Sequence, residues 1–143
     1  MSIGEKIVGK YKIEKHLGHG SFGAVYLVED EEDQSKKVAK RIFLGDFDDD
    51  SISRVVDEAR MLSRLDHPNI VGYFDSFVNQ DGFHLIIEFC NNGDLKGKIM
   101  EQQQKGEYFD EKVIVDWFYQ LMRAIDHVHK FNCIHRDISP GYL

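Results

Sequence analysis

The sequence predicts an α+β fold in which an antiparallel sheet with one helix comes first and further helices follow. Two observations carry this prediction. Up to about residue 89, short apolar and β-rich runs are separated by Gly-rich and acidic turns, as in strands. From residue 111 to 130, apolar residues instead recur three and four positions apart, as on one face of an amphipathic helix. The pattern changes from β-rich to helical near Cys90–Gly93.

Residues 11–45 predict three strands. The first alternates over residues 13–17, the second is the β-rich run Ala24–Val28, and the third is the largely apolar run Val38–Leu44. Acidic residues 29–33 form the turn between the second and third strands. Four aspartates within residues 46–50 indicate a solvated loop that ends this part of the sheet.

A helix follows over residues 51–65, where apolar side chains have the i, i+3, i+4, i+7 spacing of one helical face. Pro68 prevents the helix from continuing. Glu58 lies at the edge of the apolar stripe and could reach toward whatever the helix packs on. Residues 70–78 and 83–89 then flank a connection that ends in Asp81-Gly82, which predicts a hairpin.

Two helices complete the prediction, a short one over 95–105 and a long amphipathic one over 111–130. Its apolar residues are Val113, Ile114, Trp117, Phe118, Leu121, Met122, Ile125 and Val128. The expected organisation is an N-terminal extension over 1–10, a small lobe over 11–89 and the beginning of a larger lobe over 90–143.

Composition excludes several classes of protein. The chain has 18 basic and 25 acidic residues and a net charge of −7, which argues against a nucleic-acid partner. Its longest apolar run, Ala24–Val28, is too short to span a membrane, and the N-terminus resembles no signal peptide. We therefore expect a soluble, cytoplasmic protein. Cys90 and Cys133 stand alone, so neither a disulfide framework nor a zinc site is indicated, and His127 and His129 cannot share a metal on a helix.

Residues 18–23 have the pattern GxGxxG, which occurs both in dinucleotide-binding folds and in kinases. A dinucleotide site needs a helix directly after the motif, but Ala24–Val28 predicts a strand, which disfavours a dinucleotide-dependent oxidoreductase. A strand, a Gly-rich turn and a second strand form a flexible hairpin that can lie over nucleotide phosphates. A plain structural turn is the alternative.

Three further features bear on chemistry. Lys40 follows Val38 in an apolar strand, where its ammonium group needs a phosphate or a carboxylate nearby. Glu58 is a candidate carboxylate, although each of the two could also be an ordinary surface charge. His135-Arg136-Asp137 comes directly after the long helix.

This ordered set of motifs resembles the eukaryotic protein kinases over residues 11–138. Within them the chain is most similar to the NimA-related serine/threonine kinases, through residues 90–95 (CNNGDL), 116–120 (DWFYQ) and 127–129 (HVH). The resemblance implies a kinase-like small lobe followed by the first helices of the large lobe. It also implies transfer of the ATP γ-phosphate to serine or threonine of a protein substrate. The cytoplasm remains the expected location, with the cytoskeleton or nucleus as alternatives.

The resemblance also implies a role for each matching residue. Lys40 would contact the α and β phosphates, Glu58 would hold Lys40 in place, and Asp137 would accept or orient the proton of the substrate hydroxyl. Ile87 would occupy the gatekeeper position before the hinge at Glu88–Cys90. The implied nucleotide contacts are Leu17, Gly18, His19, Gly20, Ser21, Phe22, Gly23, Ala24, Val25, Val38, Lys40, Ile87, Glu88 and Cys90.

The family pattern fails after Asp137. Ser139 stands where serine/threonine kinases have a lysine, and Tyr142 stands where they have a Mg²⁺-binding asparagine. A neutral phenol is a poor Mg²⁺ ligand, so the resemblance implies ATP but leaves no protein ligand for Mg²⁺. We therefore expect a chain truncated in the catalytic loop and inactive by itself. The alternative to a kinase portion is an inactive fragment or isoform that binds nucleotide or a protein, the latter on the exposed apolar face of helix 111–130.

Overall fold

A computed structural model describes residues 2–20, 23–45 and 49–141, and these form six strands and three helices. This is the α+β arrangement that the sequence predicts. The elements in chain order are β1 Lys6–Ile7, β2 Tyr11–Gly20, β3 Gly23–Asp30, β4 Lys36–Ile42, α1 Asp49–Leu62, β5 Tyr73–Asn79, β6 Gly82–Glu88, α2 Leu95–Lys105 and α3 Glu111–Lys130.

The chain divides into two compact units. The first contains the residues up to Asp66 together with Val71–Phe89, and the second contains His67–Ile70 and the residues from Cys90 onward. Residues 67–70 were expected in the small lobe. They group with the helical unit because the Asn69 side-chain amide donates a 2.9 Å hydrogen bond to Gln120 of α3.

The sheet of the first unit has the order β1-β2-β3-β4-β6-β5, and every neighbouring pair is antiparallel. Its edge strand β1 lies within residues 1–10, which the sequence analysis treats as an extension. Lys6 and Ile7 pair with Lys12 and Tyr11, and Ile7 is 1% exposed. The middle of this segment therefore belongs to the sheet and contributes to the core.

The hydrophobic core lies against one face of the sheet, which we call the core face. In β3 the buried residues alternate strictly, because successive side chains of a strand point to opposite faces. The buried core cluster, against which the half-buried Phe77 packs, consists of Ile7, Tyr11, Ile13, Ala24, Tyr26, Val28, Ala39 and Ile86.

The hairpin of β5 and β6 is tighter than the sequence indicated. Asn79 and Gly82 pair with each other, so the loop has two residues instead of four. Gly82 has a φ of +125°, and a Cβ there would lie 2.2 Å from the carbonyl oxygen of Ile42. Glycine is therefore required at this position, both for the backbone conformation and for the close approach to β4.

The helices match their predicted positions. α1 ends at Leu62 instead of residue 65, because the amides of Arg64 and Leu65 donate to carbonyls only three residues earlier. Asp94 caps the N-terminus of α2 and Asp110 caps that of α3. Asp46 and Asp48 of the acidic connector lie outside the described residues, whereas Asp49 and Asp50, which were expected in the loop, begin α1. Among the described helices, none is both long enough and apolar enough to cross a lipid bilayer.

A buried ion pair joins the β3–β4 turn to the sheet. Lys37 is 4% exposed and Asp30 is 2% exposed, and their side chains form a hydrogen-bonded salt bridge. Lys10 and Asp33 complete the cluster at its solvent-facing rim. Burial raises the pKa of Asp30, but hydrogen bonds from Lys37 and a backbone amide outweigh it and hold the pKa below its ordinary 3.8. Burial lowers the pKa of Lys37, and hydrogen bonds to Asp30 and Asp33 raise it overall.

Replacing Asp30 with asparagine should destabilise the sheet by about 2 kcal/mol, because Lys37 would keep a buried charge without its main counter-ion. Hydrogen exchange at the β3 and β4 amides measures this loss locally. Since the pKa of Asp30 is depressed in the folded chain, the stabilisation is complete at neutral pH and is lost as the pH falls below about 4. Asp30→Asn should flatten that acid dependence.

Glu31→Gln is the matched control, since it removes one carboxylate from an exposed ion pair with Lys6. Its effect should stay within about 0.5 kcal/mol. If Asp30→Asn and Glu31→Gln lowered the hydrogen-exchange protection of the β3 and β4 amides equally, the buried ion pair would not stabilise the sheet more than the exposed one.

Candidate functional site

Strand register places four of the residues singled out by sequence on the sheet face opposite the core, which we call the open face. Val25 of β3 lies directly opposite Lys40 of β4, and Val38 lies directly opposite Ile87 of β6. Directly paired residues of an antiparallel sheet share a face. Because β3 buries Ala24 and Tyr26 on the core face, Val25 must point to the other side, and its partner Lys40 points with it. Val38, two residues before Lys40 on β4, shares this face, and so does its partner Ile87.

The open face combines an apolar surface with one cationic side chain. Val25, Val38 and Ile87 are half-buried, while Lys40 is exposed. Leu85 lies opposite Lys40 on the same face and is also half-buried. The sequence analysis missed Leu85, although its position two residues before Ile87 on one strand places both on one face. The surface can thus accept an apolar ring and carries a positive charge for an anionic group beside it.

Two of the predicted nucleotide contacts, His19 and Ala24, do not share the open face. They pair with each other, and Ala24 is 1% exposed within the core. Their side chains therefore lie on the core face, so a contact of these two residues with a nucleotide on the open face would involve their backbone, and that contact stays a prediction. Leu17 is the bulged residue of β2 and is 42% exposed.

Packing requires a glycine at one position of the GxGxxG motif but not at another. A Cβ on Gly23 would lie 1.7 Å from the Arg41 carbonyl oxygen, so glycine allows β3 to approach β4. A Cβ on Gly18 would meet nothing within 4 Å. Packing therefore does not explain Gly18, and its backbone stays accessible from the open face. Gly20 pairs with Gly23, and Ser21 and Phe22 lie outside the described residues.

Lys40 and Glu58 are not brought together as an ion pair. Both residues are exposed, and within residues 2–20, 23–45 and 49–141 neither takes part in a salt bridge. The one buried residue of the described part of α1 is its neighbour Ala59. The contact expected of Glu58 therefore stays a prediction for another state of the protein.

Glu88, at the end of β6, forms two hydrogen bonds with the segment that precedes β5. Its carboxylate accepts the amide of Gly72 at 3.0 Å, and its own amide donates to the Gly72 carbonyl at 2.8 Å. The Glu88 side chain is therefore already engaged within the sheet unit. Cys90 is exposed and begins the second unit.

In the second unit, Asp137 lies on an exposed segment after α3. Its amide donates to Nδ1 of His135 at 3.2 Å. Arg136 between them has a φ of +67°, a left-handed conformation that costs energy in a non-glycine residue and is frequent at functional sites. Pro140 accepts a 2.9 Å hydrogen bond from the amide of Lys96, which ties this segment to the first turn of α2.

The two altered positions of the motif offer no carboxylate or amide oxygen to a metal ion. Ser139 has one hydroxyl and no charge, and Tyr142 lies outside the described residues. Across the described residues, no group of three His, Cys, Asp or Glu side chains is placed to hold one metal ion. The residues present therefore do not fit a bound Mg²⁺, and we derive no step through it.

The outer surface of α3 is apolar. None of its residues is buried, and its most exposed large apolar side chains are Ile114, Val115, Phe118, Tyr119 and Met122. Of the predicted apolar stripe, Val113, Ile114, Phe118 and Met122 are exposed, while Trp117, Leu121, Ile125 and Val128 are half-buried. A protein partner on this surface stays a prediction.

Comparison with known proteins is consistent with this arrangement. Residues 11–141 match the family model described as protein kinase domain. Serine/threonine-protein kinase Nek11 of Homo sapiens is 42% identical over 136 residues, 93% of this chain and 21% of that protein. Nek5 of Mus musculus is 38% identical over 87% of this chain and 19% of its own length. A probable serine/threonine-protein kinase, nek1 of Dictyostelium discoideum, is 36% identical over 92% of this chain and 27% of its own.

The chain thus spans about a fifth to a quarter of the length of these relatives. The matching region includes strands β2 to β6 with the Gly-rich motif, the open face around Lys40, and His135-Arg136-Asp137. On the family match and these relatives together, the chain belongs to the protein kinase family and is similar to its Nek, or NimA-related, serine/threonine kinases.

Proposed function

We propose that the sheet unit binds ATP on its open face and forms the nucleotide-binding part of a serine/threonine protein kinase. The observation that carries this proposal is the register that sets Val25 against Lys40 and Val38 against Ile87 on one accessible face. An adenine ring needs apolar surfaces of this kind, and phosphates need a nearby cation.

Each residue has a distinct role in this proposal. Val25, Val38 and Ile87 bind the adenine by apolar contact, and the backbone of Glu88–Cys90 supplies hydrogen bonds at its edge. The exposed ammonium of Lys40 binds phosphate oxygens. Gly18 lets the backbone approach the phosphates, since no side chain shields it there.

We assign Asp137 to the acceptor hydroxyl, the serine or threonine side chain that receives the phosphoryl group. ATP supplies the phosphoryl group, and the Asp137 carboxylate accepts or orients the proton of a serine or threonine hydroxyl. The left-handed backbone at Arg136 supports this assignment, since a strained conformation fixes where the next side chain begins. Phosphorylation of protein substrates is proposed on the basis of the longer relatives, of which this chain spans about a fifth to a quarter.

A second candidate function rests on Ser139 and Tyr142. Phosphoryl transfer depends on positioned Mg²⁺ and on charge stabilisation, and neither residue supplies these as lysine and asparagine would. The 143-residue chain would then bind nucleotide without transferring phosphate. Both functions use the same open face and differ only at the residues after Asp137.

Lys40→Ala should weaken ATP binding by about tenfold, because the phosphates would lose their cation. A thermal-shift titration measures the change, since ligand at about 100 times its dissociation constant adds roughly 2.7 kcal/mol of stability. Lys12→Ala is the matched control. By register Lys12 lies four pairs from Lys40, which is about 13 Å along the β3 direction, and it lies two strands away from it. Similar ATP affinities in both variants would refute the role given to Lys40.

Restoring the two altered positions should restore phosphate transfer. In a chimera that continues into the corresponding C-terminal part of human Nek11, the double change Ser139→Lys and Tyr142→Asn should raise transfer to a serine peptide at least 100-fold over the unaltered chimera. The measurement is incorporation of labelled phosphate from Mg·ATP. Lys40→Ala should abolish it. Equal transfer with and without the two changes would show that Ser139 and Tyr142 do not limit the chemistry.

A further inference from the structure

A bulge in β2 brings two histidines to the same side of the sheet. Residues three apart on a regular strand point to opposite faces. Here the register shifts between His16 and Gly18, so that His16 pairs with Tyr26 and His19 pairs with Ala24. Tyr26 and Ala24 are both on the core face, and His16 and His19 must therefore be on it too. Bulges that redirect side chains in this way are characteristic of functional positions.

The two imidazole rings are close together and open to solvent. Their centroids are 4.5 Å apart and their planes are tilted by 53°. His16 also contacts the edge of Tyr26 at 5.3 Å. With Ile3 and Ile13 these rings line an open depression of about 280 Å³. Both histidines are exposed, so an ion can reach them without displacing core residues.

The ring separation favours a particular coordination geometry. A metal lies about 2.0–2.1 Å from an imidazole nitrogen, and therefore about 3.2 Å from the ring centroid. Two centroids that are 4.5 Å apart would subtend about 90° at an ion that lies on the nitrogen axis of both rings. An angle near 90° fits neighbouring positions of a tetragonal Cu²⁺ or Ni²⁺ ion better than the wider angle of tetrahedral Zn²⁺.

We propose that His16 and His19 form a two-imidazole binding site for a divalent transition-metal ion of tetragonal geometry, with water at the remaining positions. Two protein ligands give a site of micromolar rather than nanomolar strength. Its position on the core face separates it from Val25 and Lys40 on the open face. The proposal therefore does not depend on ATP binding, and either can fail without the other.

A second histidine pair provides an internal comparison. His67 and His127 have ring centroids 5.1 Å apart, but both are half-buried. Nδ1 of His67 already accepts the amide of Asn69 at 3.1 Å. This pair is less accessible, and Nδ1 of His67 is already engaged. If a metal ion bound any two neighbouring histidines, it would bind both pairs, and variants of either pair would weaken the binding.

The test is calorimetric titration of the untagged chain with NiCl₂. His16→Gln and His19→Gln should each weaken binding at least tenfold, while His127→Gln should leave it unchanged. Circular dichroism checks that each variant is folded. Loss of binding in His127→Gln instead, or unchanged binding in the His16→Gln/His19→Gln double variant, would overturn the proposal.

Electron paramagnetic resonance with one equivalent of Cu²⁺ is the second measurement, because it reads the ligands directly. The unaltered chain should give a tetragonal spectrum with hyperfine coupling to two imidazole nitrogens, and His19→Gln should reduce it to one. A spectrum that is identical in the unaltered chain and in His19→Gln would also overturn the site.

Discussion

The register of β3, β4 and β6 is the constraint on which the rest of the molecule depends. Since side chains alternate between the two faces, burying Tyr26, Ala39 and Ile86 in the core forces their neighbours Val25, Lys40 and Ile87 to the open face. A slip of one residue would exchange the two sets. The hydrophobic effect thus positions the proposed nucleotide contacts without any direct interaction among them, because fixing the core also fixes the opposite surface.

The bulges of β2 modify this rule locally. Regular alternation would separate His16 from His19, and the extra residue Leu17 reunites them on the core face. The same irregularity directs His19 to the core face while Gly18 stays on the open face. Regular alternation could not place two residues that are three apart on one face, and the bulge makes this possible for His16 and His19.

Local patterns were sufficient for most of the fold. The spacing of apolar residues predicted the helices, and Asp81-Gly82 predicted the β5–β6 hairpin, because these signals depend on neighbouring residues alone. The bulge at Leu17 and the grouping of Asn69 with Gln120 could not be read in this way. They depend on pairing and packing across the chain. The same holds for Lys40 and Glu58, since a residue's place on a helix does not fix its distance from a strand.

After Asp137, contacts of the backbone hold its position, whereas the side chains differ in chemistry from the kinase pattern. The amide of Lys96 holds the carbonyl of Pro140, and Arg136 keeps a left-handed conformation two residues before Ile138. The path through Ser139 is thus anchored on both sides, at Arg136 and at Pro140. What this segment lacks relative to the kinase pattern is the charge of a lysine side chain. A lysine at residue 139 would need no new backbone path, because Ser139 is only half-buried and a long flexible side chain can extend from it into solvent.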